Sequence, residues 1–381
     1  MIFIDNRLYN IVALSLAFSV GSRTAVKVYE NLLKDSRFDV PFNEMMKSSV
    51  LDDKTRERLS AVSKDDIFKI FKCCKDNGIK ILTMYSSKYP DRLRNIPSPP
   101  LILYIKGNFP EVDSEPMFCI VGPRKVTKFG RKAAFSLARR LSKSGMIIVG
   151  GNADGADTAV HEGTFSADGM SVMVVVDGIV TVLNSGRRKL CEKVLKNGCI
   201  ISESPPMFLA PKYCFRLRNR LMSGLSIGVA VVEAPKISGG LITANHAIEQ
   251  NRDVFVIPGS PSDKAYEGSN ALLRDGATPL LEAKDIFLRY ITEFPEKISI
   301  ENAYKSSSAQ KSPKKSLSVL SNEAVLVYNN LVKPEFTVDD INLPDIDPTV
   351  LISALTELEM EHLIKSSPGG NYKISNQSKE F

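Results

Sequence analysis

The 381-residue chain predicts an α/β protein built on a doubly wound, mostly parallel sheet. Short apolar runs recur at 118–121, 146–149, 172–176, 199–201, 229–232 and 254–257, and most are separated by helix-period patterns such as 130–141. The runs are continuously apolar rather than alternating, which is how strands read when helices cover both sheet faces. Several end on glycine or charge: Val121 on Gly122, Val149 on Gly150-Gly151, Val176 on Asp177-Gly178 and Val232 on Glu233. In open sheets of this type, ligands settle against those strand ends.

In chain order, residues 1–80 alternate amphipathic helical patterns with turn signals at Gly21-Ser22, Asp52-Asp53 and Asn77-Gly78, predicting a small helical domain. The apolar stretch 8–20 is too short to span a bilayer, has Asp5 in place of a basic leader and lacks a cleavage pattern. It reads as a buried helix. Residues 19–25 resemble a helix-hairpin-helix turn, although a plain helix connection explains them more simply. A proline-rich connector, Tyr89-Pro90 to Pro99-Pro100, leads to a strand at 101–107, and the sheet domain is expected over 81–290. Residues 291–316 are expected to be a flexible basic linker, rich in Ser, Lys and Gln from 300 onward. Residues 317–381 predict a winged-helix domain, with helices at 320–331 and 348–363 and a wing at 369–374. Its presumed recognition helix carries Glu357, Glu359 and Glu361, which favours a packing or protein-contact role over major-groove reading.

Charge and composition narrow the function. Fifty Lys and Arg against 43 Asp and Glu give +7, suited to an acidic partner. The six cysteines form no Cys-x-x-Cys pair and only three histidines accompany them, so reduced cytoplasmic thiols are expected, with no metal site and no disulfide frame. The densest anion-seeking signal lies at 215–243. Arg216, Arg218 and Arg220 offer guanidinium forks, and Ser238-Gly239-Gly240 opens a helix that runs through Thr243, presenting backbone amides to an anion.

Known nucleotide devices are absent. Gly150 and Gly155 have Walker A spacing, but Ala156 and Asp157 stand where Lys and Ser or Thr are needed. Arg124 occupies the second glycine of a dinucleotide fingerprint. Asp157 and His161 at i, i+4 and Glu233 at a strand end read as structural support, with Glu233 expected to pair with Arg218 or Arg220. No catalytic constellation is visible, and no cofactor is implied.

Ordered motifs from Tyr89 to Leu281 together resemble the DNA-processing protein A (DprA/Smf) family, the recombination mediators of natural transformation. They are Tyr89-Pro90-x-x-Leu93-x-x-Ile96-x-x-Pro99-Pro100, Ile120-Val121-Gly122-x-Arg124-x-x-Thr127-x-x-Gly130 and Gly155-x-Asp157-x-x-x-His161-x-Gly163. Next come Ile201-Ser202-Glu203-x-Pro205, Arg218-Asn219-Arg220-x-x-x-Gly224-Leu225-Ser226 and Val232-Glu233-Ala234. Ser238-Gly239-x-Leu241-Ile242-Thr243-Ala244 and Pro258-Gly259 complete the series.

The resemblance implies an extended Rossmann-like core that dimerises, holds single-stranded DNA without turnover and loads RecA recombinase. The family motifs carry over Arg124, Arg218, Asn219, Arg220, Ser238, Gly239 and Thr243, and with the anion-seeking residues around them the expected phosphate-binding set is Gly122, Arg124, Lys125, Thr127, Gly130, Gly151, Gly155, Arg216, Arg218, Asn219, Arg220, Ser238, Gly239, Gly240 and Thr243. Arg187, Arg188 and Lys189 either add basic contacts or form a solvated helix start. Pro123 replaces the family's usual Ser, Leu183-Asn184 its Tyr-Pro, and Arg216 the Pro after Phe215. The alternative is a nucleotide-binding enzyme such as a phosphoribohydrolase, whose glycine-rich loop is broken here at Pro258-Gly259-Ser260-Pro261.

Overall fold

A computed structural model describes residues 5–304, 321–331, 335–341, 343, 346–360, 364–367 and 371–374. Its larger unit, which runs through Tyr304, is organised by a nine-stranded sheet. The strands are β1 (Lys80–Thr83), β2 (Ile102–Gly107), β3 (Met117–Val121), β4 (Ile147–Gly150), β5 (Ser171–Val174), β6 (Gly198–Ser202), β7 (Gly228–Val231), β8 (Asp253–Val256) and β9 (Thr278–Pro279). Their spatial order is β1-β2-β6-β5-β4-β3-β7-β8-β9. Every pair from β6 to β9 is parallel, while β2 joins β6, and β1 joins β2, in antiparallel register.

Each central strand divides its side chains between two cores because successive residues face opposite ways. Met117, Cys119 and Val121 of β3 point into one apolar cluster, and Phe118 and Ile120 into the other. The same split holds for Val229 and Val231 against Ala230 in β7. The second cluster is closed by helices Lys128–Lys143, Ala156–Phe165 and Ala283–Tyr290. The first receives Leu221 and Leu225 of helix Cys214–Leu225, Ala244 and Ala247 of helix Gly239–Glu249, and the N-terminal helices.

The N-terminal helices are therefore not packed apart from the sheet. Ile11 and Leu14 of helix Asn6–Ala17 lie in one cluster with Leu103 of β2 and Ile200 of β6, and β1 itself enters the sheet. The expected buried helix forms over Asn6–Ala17, ending before residues 18–20, and inside it Asn10 donates through Nδ2 to the carbonyls of Phe38 and Val40 at 2.8 Å while its Oδ1 is left without a partner. The linker expected from residue 291 does not begin there. Phe294, Ile298 and Ala303 are buried against helix Lys128–Lys143 and its neighbours, so 291–304 is packed chain, and 305–316 lies outside the described residues.

A buried ion pair ties the helical N-terminus to the sheet. Arg220 donates to both carboxylate oxygens of Glu203 at 2.8 and 2.7 Å, with side chains only 5% and 12% exposed. Glu203 also accepts from the backbone N–H of Gly21 at 3.1 Å, where φ is +74°. That glycine turn is thus engaged internally, consistent with a plain helix connection.

The second unit contains helices Asn322–Asn329 and Pro348–Met360 with strands β10 (Glu335–Thr337), β11 (Ile364–Ser367) and β12 (Asn371–Ile374), ordered β10-β12-β11. Glu357 accepts from the N–H and hydroxyl of Ser321 at 2.8 and 2.6 Å, and Glu359 from the N–H of Ser366 at 3.0 Å. Two of the acids on the presumed recognition helix therefore serve packing within this unit. Glu361, Gly369 and Gly370 lie outside the described residues.

Removing one partner of a buried ion pair leaves an uncompensated charge and costs about 3–5 kcal/mol. Arg220→Ala is expected to lower stability by that amount in urea denaturation and to speed hydrogen exchange in the N-terminal helices. A variant as stable as the parent would show that Glu203 does not depend on this partner.

Candidate nucleic-acid interface

Adjacent strands β3 and β7 send their connections in opposite directions, since the chain proceeds from β3 toward β4 and returns on the other side as β7. Their carboxyl ends consequently open a crevice. It is a cleft of about 250 Å³ lined by Gly122, Pro123 and Arg124 after β3 and by Pro235, Ile237, Ser238, Gly239 and Gly240 after β7. Asp157, Phe215, Arg216, Arg218, Asn219, Met222, Ile242 and Thr243 complete the wall with Val121 and Ala153.

Close backbone packing builds the mouth. A Cβ at Gly122 would stand 2.7 Å from both the Ala156 methyl and a Val232 methyl, so only glycine lets this strand end pass. Gly155 has φ +79° and lies against the Arg124 and Pro123 carbonyls, the second of which accepts from Ala156 N–H at 3.2 Å. This fixes the loop that carries Arg124.

The arginines do different things. Arg124 is exposed, and its guanidinium lies 5.0 Å from the Phe215 ring centre, a cation–π contact that orients it over the cleft. Arg216 is exposed on the same wall. Arg218 is 7% exposed and points inward, donating to the Val174 carbonyl and, through Nε, to Asn219 Oδ1 at 3.2 Å. Burial pushes its pKa down and the nearby Asp157 opposes the fall. A guanidinium still keeps its charge in such surroundings. Arg218 is therefore a charged wall rather than a free fork.

The helix that starts the opposite wall is capped by Ser238, whose hydroxyl accepts from Gly240 N–H at 3.2 Å. Asn219 donates to the Gly239 carbonyl at 3.2 Å and Thr243 to the same oxygen at 3.3 Å, tying helices Cys214–Leu225 and Gly239–Glu249 together. Nothing lies within 4 Å of where a Gly239 side chain would begin, so this first turn is open to an incoming group.

Of the residues expected to bind phosphate, Gly122, Arg124, Arg216, Arg218, Asn219, Ser238, Gly239, Gly240 and Thr243 converge on the cleft. Several others are elsewhere. Arg220 turns away because Glu203 takes it in a buried ion pair, although at i, i+4 it shares a helix face with Arg216; the two-residue step of about 200° instead sets Arg218 apart from both. Glu233 pairs with neither Arg218 nor Arg220. It accepts from the N–H and hydroxyl of Thr127 at 2.7 and 2.6 Å. Thr127 caps helix Lys128–Lys143 through Gly130 N–H at 2.9 Å, and a Cβ on Gly130 would collide with Glu233 Oε2 at 2.2 Å. Gly151 makes room for Asp157 and Arg218, which would stand 2.3 and 2.8 Å from its Cβ. Lys125 is exposed beside Arg124, outside the cleft lining.

Arg187 braces the loop behind the cleft, donating to the Asn152 carbonyl at 2.9 Å and Asp154 at 2.5 Å. Arg188 pairs with Glu192 at 2.7 Å, and Lys189 is exposed on the same short helix, so this trio is a solvated helix start with one inward brace. Phe215 and Ile237, the latter 90% exposed at the rim, were not anticipated as site residues. An aromatic directly before an arginine-rich run is a signal that would have found the first.

Residues 80–290 match the model of the DNA recombination-mediator protein A family. The chain belongs to this family. It is 33% identical over 258 residues to DNA processing protein DprA of Bacillus subtilis, covering 66% of this chain and 86% of that protein. The Streptococcus pneumoniae DprA is 33% identical over 202 residues, 53% of this chain and 71% of that protein. The X-ray structure of DprA from Streptococcus pneumoniae superposes with a TM-score of 0.65 at 27% identity, over 75% of this chain and 98% of that one. A DprA structure from Helicobacter pylori, described for its single-stranded DNA binding mode, superposes with a TM-score of 0.51 at 26% identity, over 56% and 96%.

His161 is fully buried behind this family's cleft, with Nε2 2.7 Å from the Gly151 carbonyl and Nδ1 2.7 Å from the Ser171 hydroxyl. The carbonyl can only accept, so Nε2 carries the proton and Nδ1 accepts from Ser171. Burial lowers its pKa, outweighing Gly151 and Asp157, which favour the cation. The unfolded chain thus binds a proton at a higher pH than the folded one. Stability is expected to be lost as pH falls below about 6.5 toward the depressed folded pKa. Thermal melts from neutral to acid pH should fall less steeply for His161→Gln than for the parent, and parallel curves would assign the acid loss to other groups.

Proposed function

We propose that the protein binds single-stranded DNA in the cleft between β3 and β7 without turning it over, protecting incoming strands and loading RecA recombinase onto them during DNA uptake and recombination. It acts in this reading as a cytoplasmic homodimer. The observation that carries the binding is the meeting, at one strand-end crevice, of two exposed guanidinium groups, Arg124 and Arg216, with the open first turn at Gly239. Guanidinium forks grip phosphate oxygens in pairs, and a helix start adds amides and a favourable dipole.

Binding without turnover is supported by how the acids and the histidine in and behind the wall are engaged. Asp157 accepts from Ala153 N–H at 3.0 Å, Glu233 is taken by Thr127, and His161 is held by Gly151 and Ser171. None is poised toward the cleft with a nucleophile beside it. The Helicobacter pylori relative, described for its single-stranded DNA binding, supports the choice of strand. Delivery to RecA and dimer formation rest on family membership.

Arg124→Ala is expected to weaken oligonucleotide binding roughly tenfold or more across all sequences, since a charge-assisted contact is worth about 1.5–3 kcal/mol. The log–log salt dependence should become shallower by about 0.7, one phosphate's worth on a single strand. Fluorescence anisotropy over a salt series checks both, and an isotherm unchanged by this substitution would remove the cleft from the binding surface. Nucleoside monophosphates incubated with the protein are expected to release no free base.

A further inference from the structure

The cleft is small for what it is asked to hold. Its volume of about 250 Å³ lies below the range of about 300–1,000 Å³ usual for small-molecule pockets, so a polymer anchored there keeps most of its length outside. The wall is uneven in charge along one of its exits. No acidic residue stands between Glu115 and Asp154, whereas 124–132 alone contains Arg124, Lys125, Lys128, Arg131 and Lys132.

This stretch begins inside the cleft at Arg124 and runs into helix Lys128–Lys143, which starts at the carboxyl edge of β3. Arg131 is paired with Glu162 at 2.8 Å, and Lys132 is also engaged. Lys125 and Lys128 are exposed, with no ion-pair or hydrogen-bond partner among the described residues. The first turn has no acid to offset Lys128, a cation placed where the helix dipole disfavours it. Buried Glu233 is already taken by Thr127. Phe129, next to Lys128 in the first turn of the helix, is 58% exposed. An aromatic face interleaved with unpaired cations is the surface that suits a single strand, with stacking for a base and charge for its phosphates.

We propose that Lys125, Lys128 and Phe129 form an exit track for single-stranded DNA, continuous with the cleft and separate from it. The lysines neutralise two phosphates beyond the anchored one, and the phenyl ring supports a base. This rests on the reading that the cleft binds single-stranded DNA.

The test is anisotropy titration of the full chain with the dinucleotide dTpdT, whose single internucleotide phosphate reaches only the anchored position, and with oligo(dT) of about 30 nucleotides, which covers cleft and track. The Lys125→Ala/Lys128→Ala variant is expected to bind the long oligonucleotide roughly tenfold more weakly, with a salt slope shallower by about 1.4 for two lost phosphates, and the short one as the parent does. Phe129→Ala should weaken the long thymidine strand about fivefold or more and leave an abasic strand of equal length unaffected. Arg124→Ala should weaken both lengths, which reports the cleft independently. Unchanged binding of the long strand in the lysine variant, or equal losses on both lengths, overturns the track. The first result would leave the patch to an acidic protein partner. A parent protein that binds neither length overturns the cleft reading and the track with it. These side chains are exposed, so thermal melts matching the parent are expected for every variant on the track.

Discussion

Two neighbouring parallel strands whose connections leave in opposite directions cannot be covered at their carboxyl ends by the same loop. That constraint at β3 and β7 creates the crevice, and much of the surrounding chemistry follows from it. The loops must part, yet they must also start close together, which is why Gly122 packs within van der Waals contact of Ala156 and Val232. The same reversal brings the Arg124 loop, arriving from one half of the sheet, opposite the Ser238 cap, arriving from the other. Neither half alone would hold a site.

Around this crevice, charge is divided between groups that hold the fold and groups that face water. Glu233 fixes the start of helix Lys128–Lys143 through Thr127. Glu203 and Arg220 fasten the Gly21 turn to the sheet. Asp157 steadies the 153 loop while lying close to Arg218. Each acid near the cleft is turned toward backbone amides, hydroxyls or an inward arginine, so carboxylates do not compete with an incoming anion for Arg124 and Arg216. Buried polar groups of this kind are costly unless fully bonded, and here bonding them also sets the sign of the surface.

Much of the fold was legible in the sequence because parallel strands covered on both sides are continuously apolar, and β3 through β8 are of that kind. Residues 291–304 were less legible, since a stretch without strong periodicity can still bury Phe294, Ile298 and Ala303 when a groove is waiting. Integration of the N-terminal helices was hidden for a similar reason, as Glu203 and Gly21 are far apart in sequence and only the folded chain makes them partners. Within the site, glycines and arginines marked the right loops, but spacing every second residue did not reveal that a helix sets Arg218 apart from Arg216 and Arg220, or that Glu203 takes Arg220.

The fate of Arg218 shows how a cationic cleft can attract more strongly than it grips. Its Nη1 donates to the Val174 carbonyl and its Nε to Asn219, two of its five N–H donors, and these bonds hold the group against the wall so that it cannot turn freely to a phosphate oxygen. Its charge nevertheless remains behind a wall of low polarisability, where it is screened less by salt than an exposed arginine would be. Such a group raises the potential of the cleft for any polyanion without selecting its geometry. In the proposed binding mode, selection falls to exposed Arg124, oriented by Phe215, and to the open turn at Gly239. The number of phosphates a strand gives up to this surface should therefore be smaller than the number of arginines that line it, because one arginine acts through its field and the others through contact.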